Sequence, residues 1–154
     1  MAYAAVSGAP WVPTWKRDIE RARKLLDLKA GEKFVELGCG DGRVVIALAG
    51  RTRLMGIGVE LSAVQYLAAL IRRVVTRSWN VRFVFGNAFH YDLRDADAVY
   101  LFLMPDTYEK IRQKLETELK PGARVVTYVW PIPGWEPSLV DECAGASKLY
   151  LYQK

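Results

Sequence analysis

FVELGCGDGR, residues 34–43, is the stretch that decides how this chain folds. An apolar strand pattern runs straight into Gly38, Gly40 and Gly42, and the helical pattern VVIALA follows at once. Three glycines in five residues let the backbone turn tightly and come close to a ligand at the next helix's N-terminus. Such a turn also occurs as a plain connection, so its surroundings have to be read with it. The dinucleotide fingerprint places its third glycine five positions after the first. Here that place is Arg43 and the third glycine comes one residue early, a spacing that suits a nucleoside lacking a pyrophosphate. Glu60 ends the next apolar strand 22 residues after Gly38, where a carboxylate can accept both ribose hydroxyls. The alternative for Glu60 is a surface acid flanking the next helix.

Outward from this turn, apolar periodicity alternates between short strands and amphipathic helices, the pattern of a mainly parallel sheet covered on both faces. Strands are expected at residues 33–37, 55–60, 81–85, 98–103 and 123–130. Helices are expected at 14–28, stopped by Ala30-Gly31, at 42–49, from an N-cap at Ser62 to 75, and at 106–119 with Asp106 near its positive end. After Pro131, Pro133, Gly134 and Pro137, two short apolar stretches at 138–140 and 148–152 leave no room for a helix between them. They are expected to pair antiparallel at one sheet edge.

Composition narrows the chemistry. With 154 residues, 51% hydrophobic and 25% charged, the chain is expected to be one domain over residues 1–154, with a core that needs no disulfides. One histidine and two distant cysteines, Cys39 and Cys143, argue against a disulfide scaffold and a Cys/His metal site, so no metal ligands are assigned. A serine-hydrolase triad would depend on His90 alone, which reads better as a loop or packing histidine. No apolar run reaches about eighteen residues and no signal peptide opens the chain, so a cytoplasmic protein without a membrane partner is expected. The net charge is +5, and residues 51–82 hold six arginines against one acid, Glu60. That basic stretch could attract an acidic protein, RNA or a membrane surface, or be an ordinary solvated helix face.

The glycine turn and Glu60 are similar to those of class I methyltransferases that use S-adenosylmethionine. PWVPT at 10–14, DGRVVIALA at 41–49, GVEL at 58–61, ELKPGARVV at 118–126, GWEP at 134–137 and LYLY at 149–152 extend the likeness along the chain. They resemble the small archaeal broad-specificity protein-lysine methyltransferases and the mitochondrial enzymes that methylate lysines of the ATP synthase c-subunit and the ADP/ATP carrier. The resemblance implies an α/β, Rossmann-like, mainly parallel seven-stranded sheet with an antiparallel C-terminal strand pair and helices on both faces. It implies that residues 1–30 form a cofactor-covering segment and helix, with Trp11, Val12 and Thr14 over the methionine end of S-adenosylmethionine. Glu36 would face the methionine amino group above Gly38, Gly40 and Asp41, and Glu60 would hold the ribose. Asn87, Ala88 and Phe89 would flank adenine, while Leu103 and Met104 would lie near the methyl, plain core packing being the alternative for those two.

For a lysine acceptor the obstacle is its proton, because an ammonium with a pKa of about 10.4 is almost entirely non-nucleophilic at neutral pH. An apolar, aromatic slot disfavours the charge. Trp11, Trp15, Trp130 and Trp135 fall on loops or element ends expected at the sheet's carboxyl edge, where they would line that slot or plug the core. Tyr128 and Trp130 are the candidates for positioning the substrate. The sequence after the fourth strand, MPDT at 104–107, lacks the Pro-Pro-aromatic signature of base-amine methyltransferases. The expected partners are proteins with exposed lysines, met by a monomer. Nucleic acid, a small amine, and an inactive cofactor-binding module are the competing readings.

Overall fold

The computed structural model describes residues 14–154. Seven strands form one sheet in the order β3-β2-β1-β4-β5-β7-β6. β1 (Lys33–Leu37), β2 (Met55–Glu60), β3 (Val81–Phe85), β4 (Ala98–Leu101) and β5 (Arg124–Tyr128) run parallel. β7 (Leu149–Gln153) lies antiparallel between β5 and β6 (Leu139–Asp141), so the C-terminal pair sits at the expected edge. The first three strands begin and end where their apolar runs do. β4 stops two residues short of the expected 98–103, because the chain leaves the sheet at Phe102. β5 stops at Tyr128 rather than at 130, because Val129 takes a left-handed φ of 74° that no strand can continue.

The helices are α1 (Lys16–Leu26), α2 (Arg43–Ala49), α3 (Ala63–Thr76) and α4 (Tyr108–Glu118). α1 ends at Asp27, itself left-handed, ahead of the Ala30-Gly31 stop. Ser62 occupies the N-cap of α3, but its side chain caps nothing; its amide donates to Glu60 instead. α4 begins after a 3-10 turn at Pro105–Thr107, so the acid in its first turn is Glu109, not Asp106.

The sheet is covered unevenly. Phe34, Ala98, Tyr100, Val126 and Tyr128 point to one face, where α1, α2 and Ala69 of α3 bury them. Val35, Leu37, Val99, Leu101 and Val125 point to the other, where α4 supplies Tyr108, Ile111 and Leu115 and loops supply Leu93 and Ile132. This two-residue alternation gives a core on each side of the sheet. Among the described residues no helix is long and apolar enough to cross a membrane.

Candidate active site

The parallel strands end together, and three turns leave them at one edge. The glycine turn after β1 is tied to β2 by the amides of Gly38 and Cys39, which both donate to the Val59 carbonyl at 2.9 and 3.0 Å. The turn after β3 is tied in when Gly86 donates to the Glu60 carbonyl at 2.9 Å. The Glu60 carboxylate joins the first two turns: Oε2 accepts from the Gly40 amide and Oε1 from the Ser62 amide, each at 2.7 Å. Each oxygen has a second lone pair, so a carboxylate held this way can still accept two hydroxyls without moving.

The glycines are required by shape. Gly38, Gly40 and Gly42 have φ values of 73°, 52° and 73°, a region that costs other residues roughly 1–2 kcal/mol each. A Cβ on Gly38 would sit 2.6 Å from Leu103 Cδ2, and one on Gly42 would sit 2.4 Å from Phe83 Cζ. Leu103 therefore lies directly over the turn, arriving from the end of β4. Its amide donates to the Tyr108 hydroxyl at 3.4 Å. Met104 beside it is exposed.

Glu36 is buried within the first helix layer, and Oε2 accepts from the Val45 amide at 2.8 Å. Burial pushes its carboxyl well above the ordinary range, the Val45 hydrogen bond opposes this, and the charges of Asp41 and Glu60 add to it. Cys39 shares these surroundings, and burial, then the charges of Glu36 and Glu60, push its thiol far up, so it stays protonated and inert. Asp41 behaves oppositely. Burial alone would raise it, but hydrogen bonds from Arg43 and the charge of Arg72 outweigh burial and lower it. Arg43 and Arg72 approach its Oδ2 at 2.8 and 2.6 Å, and Arg72 Nε also donates to the Asp41 carbonyl at 3.1 Å. The carboxylate of Asp41 thus clamps the turn to α2 and α3.

Asn87 caps the 3-10 turn Ala88–His90, its Oδ1 accepting from the Phe89 amide at 2.9 Å. That leaves the amide nitrogen and one lone pair for a ligand. Ala88 and Phe89 pack partly buried on the second core. Thr14 is buried, its hydroxyl 3.2 Å from the Tyr100 hydroxyl. Trp11 and Val12 lie outside the described residues.

The Tyr128 hydroxyl donates to Asp18 Oδ2 of α1 at 2.7 Å, in a buried cluster where Arg21 binds both Asp18 and Asp141. That hydrogen bond ties the end of β5 to α1. Trp15 plugs no core, being 68% exposed at the start of α1. Trp130 is exposed as well, beyond the left-handed Val129, while Trp135 packs on Tyr152 with ring centroids 5.3 Å apart. Tyr100, Arg72 and Tyr108 were not singled out from the sequence. Each meets its partner through sheet or helix packing, and local spacing carries no signal of it.

A cleft beside the turn is lined by Thr14, Trp15, Arg43, Ile46, Arg72 and Ser147 among others, but not by Glu36, Glu60 or Asn87. At the turns, Glu60 has acceptor capacity to spare and Asn87 stands on the adjoining turn after β3.

The chain is similar to enzymes of known kind. It is 34% identical to a protein-lysine N-methyltransferase of Saccharolobus islandicus (strain REY15A), with 96% of this chain and 94% of that one covered. It is 34% identical to the adenine nucleotide translocase lysine N-methyltransferase of Mus musculus over 93% of this chain, which spans only 62% of the mouse enzyme. Among solved structures it resembles one titled an RNA methyltransferase from Salinibacter ruber in complex with S-adenosyl-L-homocysteine. That match has a TM-score of 0.87 and 29% identity, covering 92% of this chain and 93% of the other. Residues 36–139, more than half of the 154, match the ANTKMT methyltransferase domain, and the chain belongs to that methyltransferase family.

Proposed function

We propose that this protein is an S-adenosylmethionine-dependent protein-lysine N-methyltransferase that transfers the methyl group to a neutral lysine amine on proteins with exposed lysines. One observation carries the reading of the site: the Glu60 carboxylate is fixed by the Gly40 and Ser62 amides, with acceptor capacity to spare. In this reading Glu60 accepts the ribose hydroxyls, Gly38 and Gly40 let the backbone approach the amino-acid end, and Glu36 faces its ammonium. Asn87, Ala88 and Phe89 flank adenine, and Leu103 walls the reacting end. Asp41 contributes through Arg43 and Arg72, by holding the turn in shape. Thr14 keeps the segment before α1 seated on Tyr100.

When bound, the cofactor supplies an electrophilic methyl, so the chain's task is to align the amine and exclude water. Leu103 and Met104 leave β4 next to where Trp130 leaves β5, and these apolar groups disfavour a charged amine. Trp130 would hold the lysine's methylene stem. The relatives named for lysine methylation support this substrate class, and the enzyme is proposed to act as a monomer in the cytoplasm.

The similar RNA methyltransferase of Salinibacter ruber and the arginine-rich 51–82 stretch favour a second reading, RNA as the acceptor. Incubation with radiolabelled S-adenosylmethionine and a cell lysate separates them. Label recovered as methyl-lysine after acid hydrolysis of protein supports the first reading. Label in RNA or in low-mass amines defeats it, and cofactor binding without transfer means an inactive module.

A further inference from the structure

A surface helix normally turns its charges to water and its apolar side to the core. α3 is apolar on both sides: Ala69, Tyr66 and Leu70 pack inward, and a second apolar stripe faces water. Val64, Leu67, Ile71, Val74 and Val75 follow one another at three- and four-residue helical spacing, form a single stripe, and are 58–76% exposed. The only charged residues within the helix turn away from that stripe. Arg72 reaches Asp41, and Arg73 lies over the Trp79 ring at 5.6 Å. Trp79 itself is 61% exposed, just past the left-handed Arg77 that ends the helix. Chains that stay alone in water rarely leave a continuous aliphatic surface of this kind uncovered.

The charge around the stripe has one sign. Residues 51–82 contain six arginines and a single acid, Glu60, whose carboxylate is buried at the turn. Arg51 and Arg77 are exposed and form no ion pair among the described residues. The Arg51 amide donates to Asn80 Oδ1 at 3.1 Å, bringing that arginine to the Trp79 end of the stripe. A second copy of the chain would oppose arginine with arginine and supply no acid from this region. RNA prefers aromatic stacking platforms, and this stripe is aliphatic. Aliphatic groups bordered by guanidinium groups, with an indole at one end, match the boundary between lipid headgroups and acyl chains.

We propose that α3 docks the protein onto an anionic phospholipid surface, its five aliphatic side chains in the acyl boundary and the neighbouring arginines on the headgroups. The proposal does not depend on which acceptor is methylated. The test is co-sedimentation of the full chain with vesicles of phosphatidylcholine alone or mixed with phosphatidylglycerol, together with sedimentation velocity of the protein by itself. The chain should partition onto the mixed vesicles at least roughly tenfold better than onto the neutral ones, and salt should weaken this. The double substitution Leu67→Ser and Ile71→Ser should remove at least about nine-tenths of the binding while leaving the thermal unfolding transition in place. If that variant does not fold, Arg51→Gln with Arg77→Gln removes no apolar contact and should weaken binding several-fold. Absence of binding to mixed vesicles, equal binding by wild type and variants, or a dimer that the serine variant dissolves would each overturn the proposal.

Discussion

Replacing Glu60 by alanine removes the acceptor that joins the two turns and the pair expected to meet the ribose. Cofactor affinity should fall by roughly 1.5–3 kcal/mol, the worth of charge-assisted hydrogen bonds, measured by calorimetry. Unchanged affinity would mean that the ribose lies elsewhere. Glu36 gives a prediction with a sign. Burial raises its carboxyl, so the folded chain keeps a proton that the unfolded chain has lost above its ordinary value of about 4.3. Its contribution to stability is therefore present in acid and falls as pH rises from that value toward the raised one. Glu36→Gln keeps an acceptor for the Val45 amide and abolishes the slope. At neutral pH it should raise Tm by roughly 2–4 °C, about 1 kcal/mol for a chain of this size, while weakening cofactor binding. A rise in both would exclude Glu36 as the partner of the ammonium. Tyr128→Phe strands a buried Asp18 oxygen and should cost about 1–3 kcal/mol of stability. Its methylation rate per folded molecule should stay within about twofold; a large drop in kcat would return Tyr128 to the substrate site.

The turn between β1 and α2 is where sequence and shape agree most closely. Gly42→Ala would have to accept a positive φ and a contact with Phe83 well inside van der Waals distance, so a loss of about 2–4 kcal/mol is expected. Gly86, at the turn after β3, has open space where a Cβ would go and no positive φ, so Gly86→Ala should change the denaturation midpoint little. Comparing the two by urea denaturation tests whether the first turn is shaped by necessity. α3 shows the limit of reading elements from a pattern. Periodicity located the helix within a residue or two, but a stripe of valine, leucine and isoleucine ordinarily means a buried face. The structure puts Ala69, Tyr66 and Leu70 inward and leaves that stripe outside.

Over the whole molecule, β7 inserts between β5 and β6, with Leu149 and Tyr152 fully buried on opposite faces. Both cores therefore close only when the last residues are in place. A chain ending at residue 147 should show no cooperative thermal transition, whereas the complete chain should show one by circular dichroism. Asp41 links the turn to the two helices that cover one of these cores, through an arginine on each. Its lowered carboxyl contributes stability that is present above the ordinary aspartate range and is lost as pH falls through the lowered value.

The bounds of the first three strands, the three-glycine turn, the acid closing β2 and the antiparallel C-terminal edge were all legible in the order of residues. Each is set by sterics or periodicity within a few positions, and the alternation of strand and helix then allows few topologies. Other features needed the chain to be folded up. Tyr128 meets Asp18 across 110 positions and Asp41 meets Arg72 across 31, so no local spacing could reveal that one hydroxyl serves an anchor and one carboxylate a clamp. Which side of α3 faces water was decided the same way, because burial depends on what packs against a helix, and its own sequence states only that two unlike sides exist.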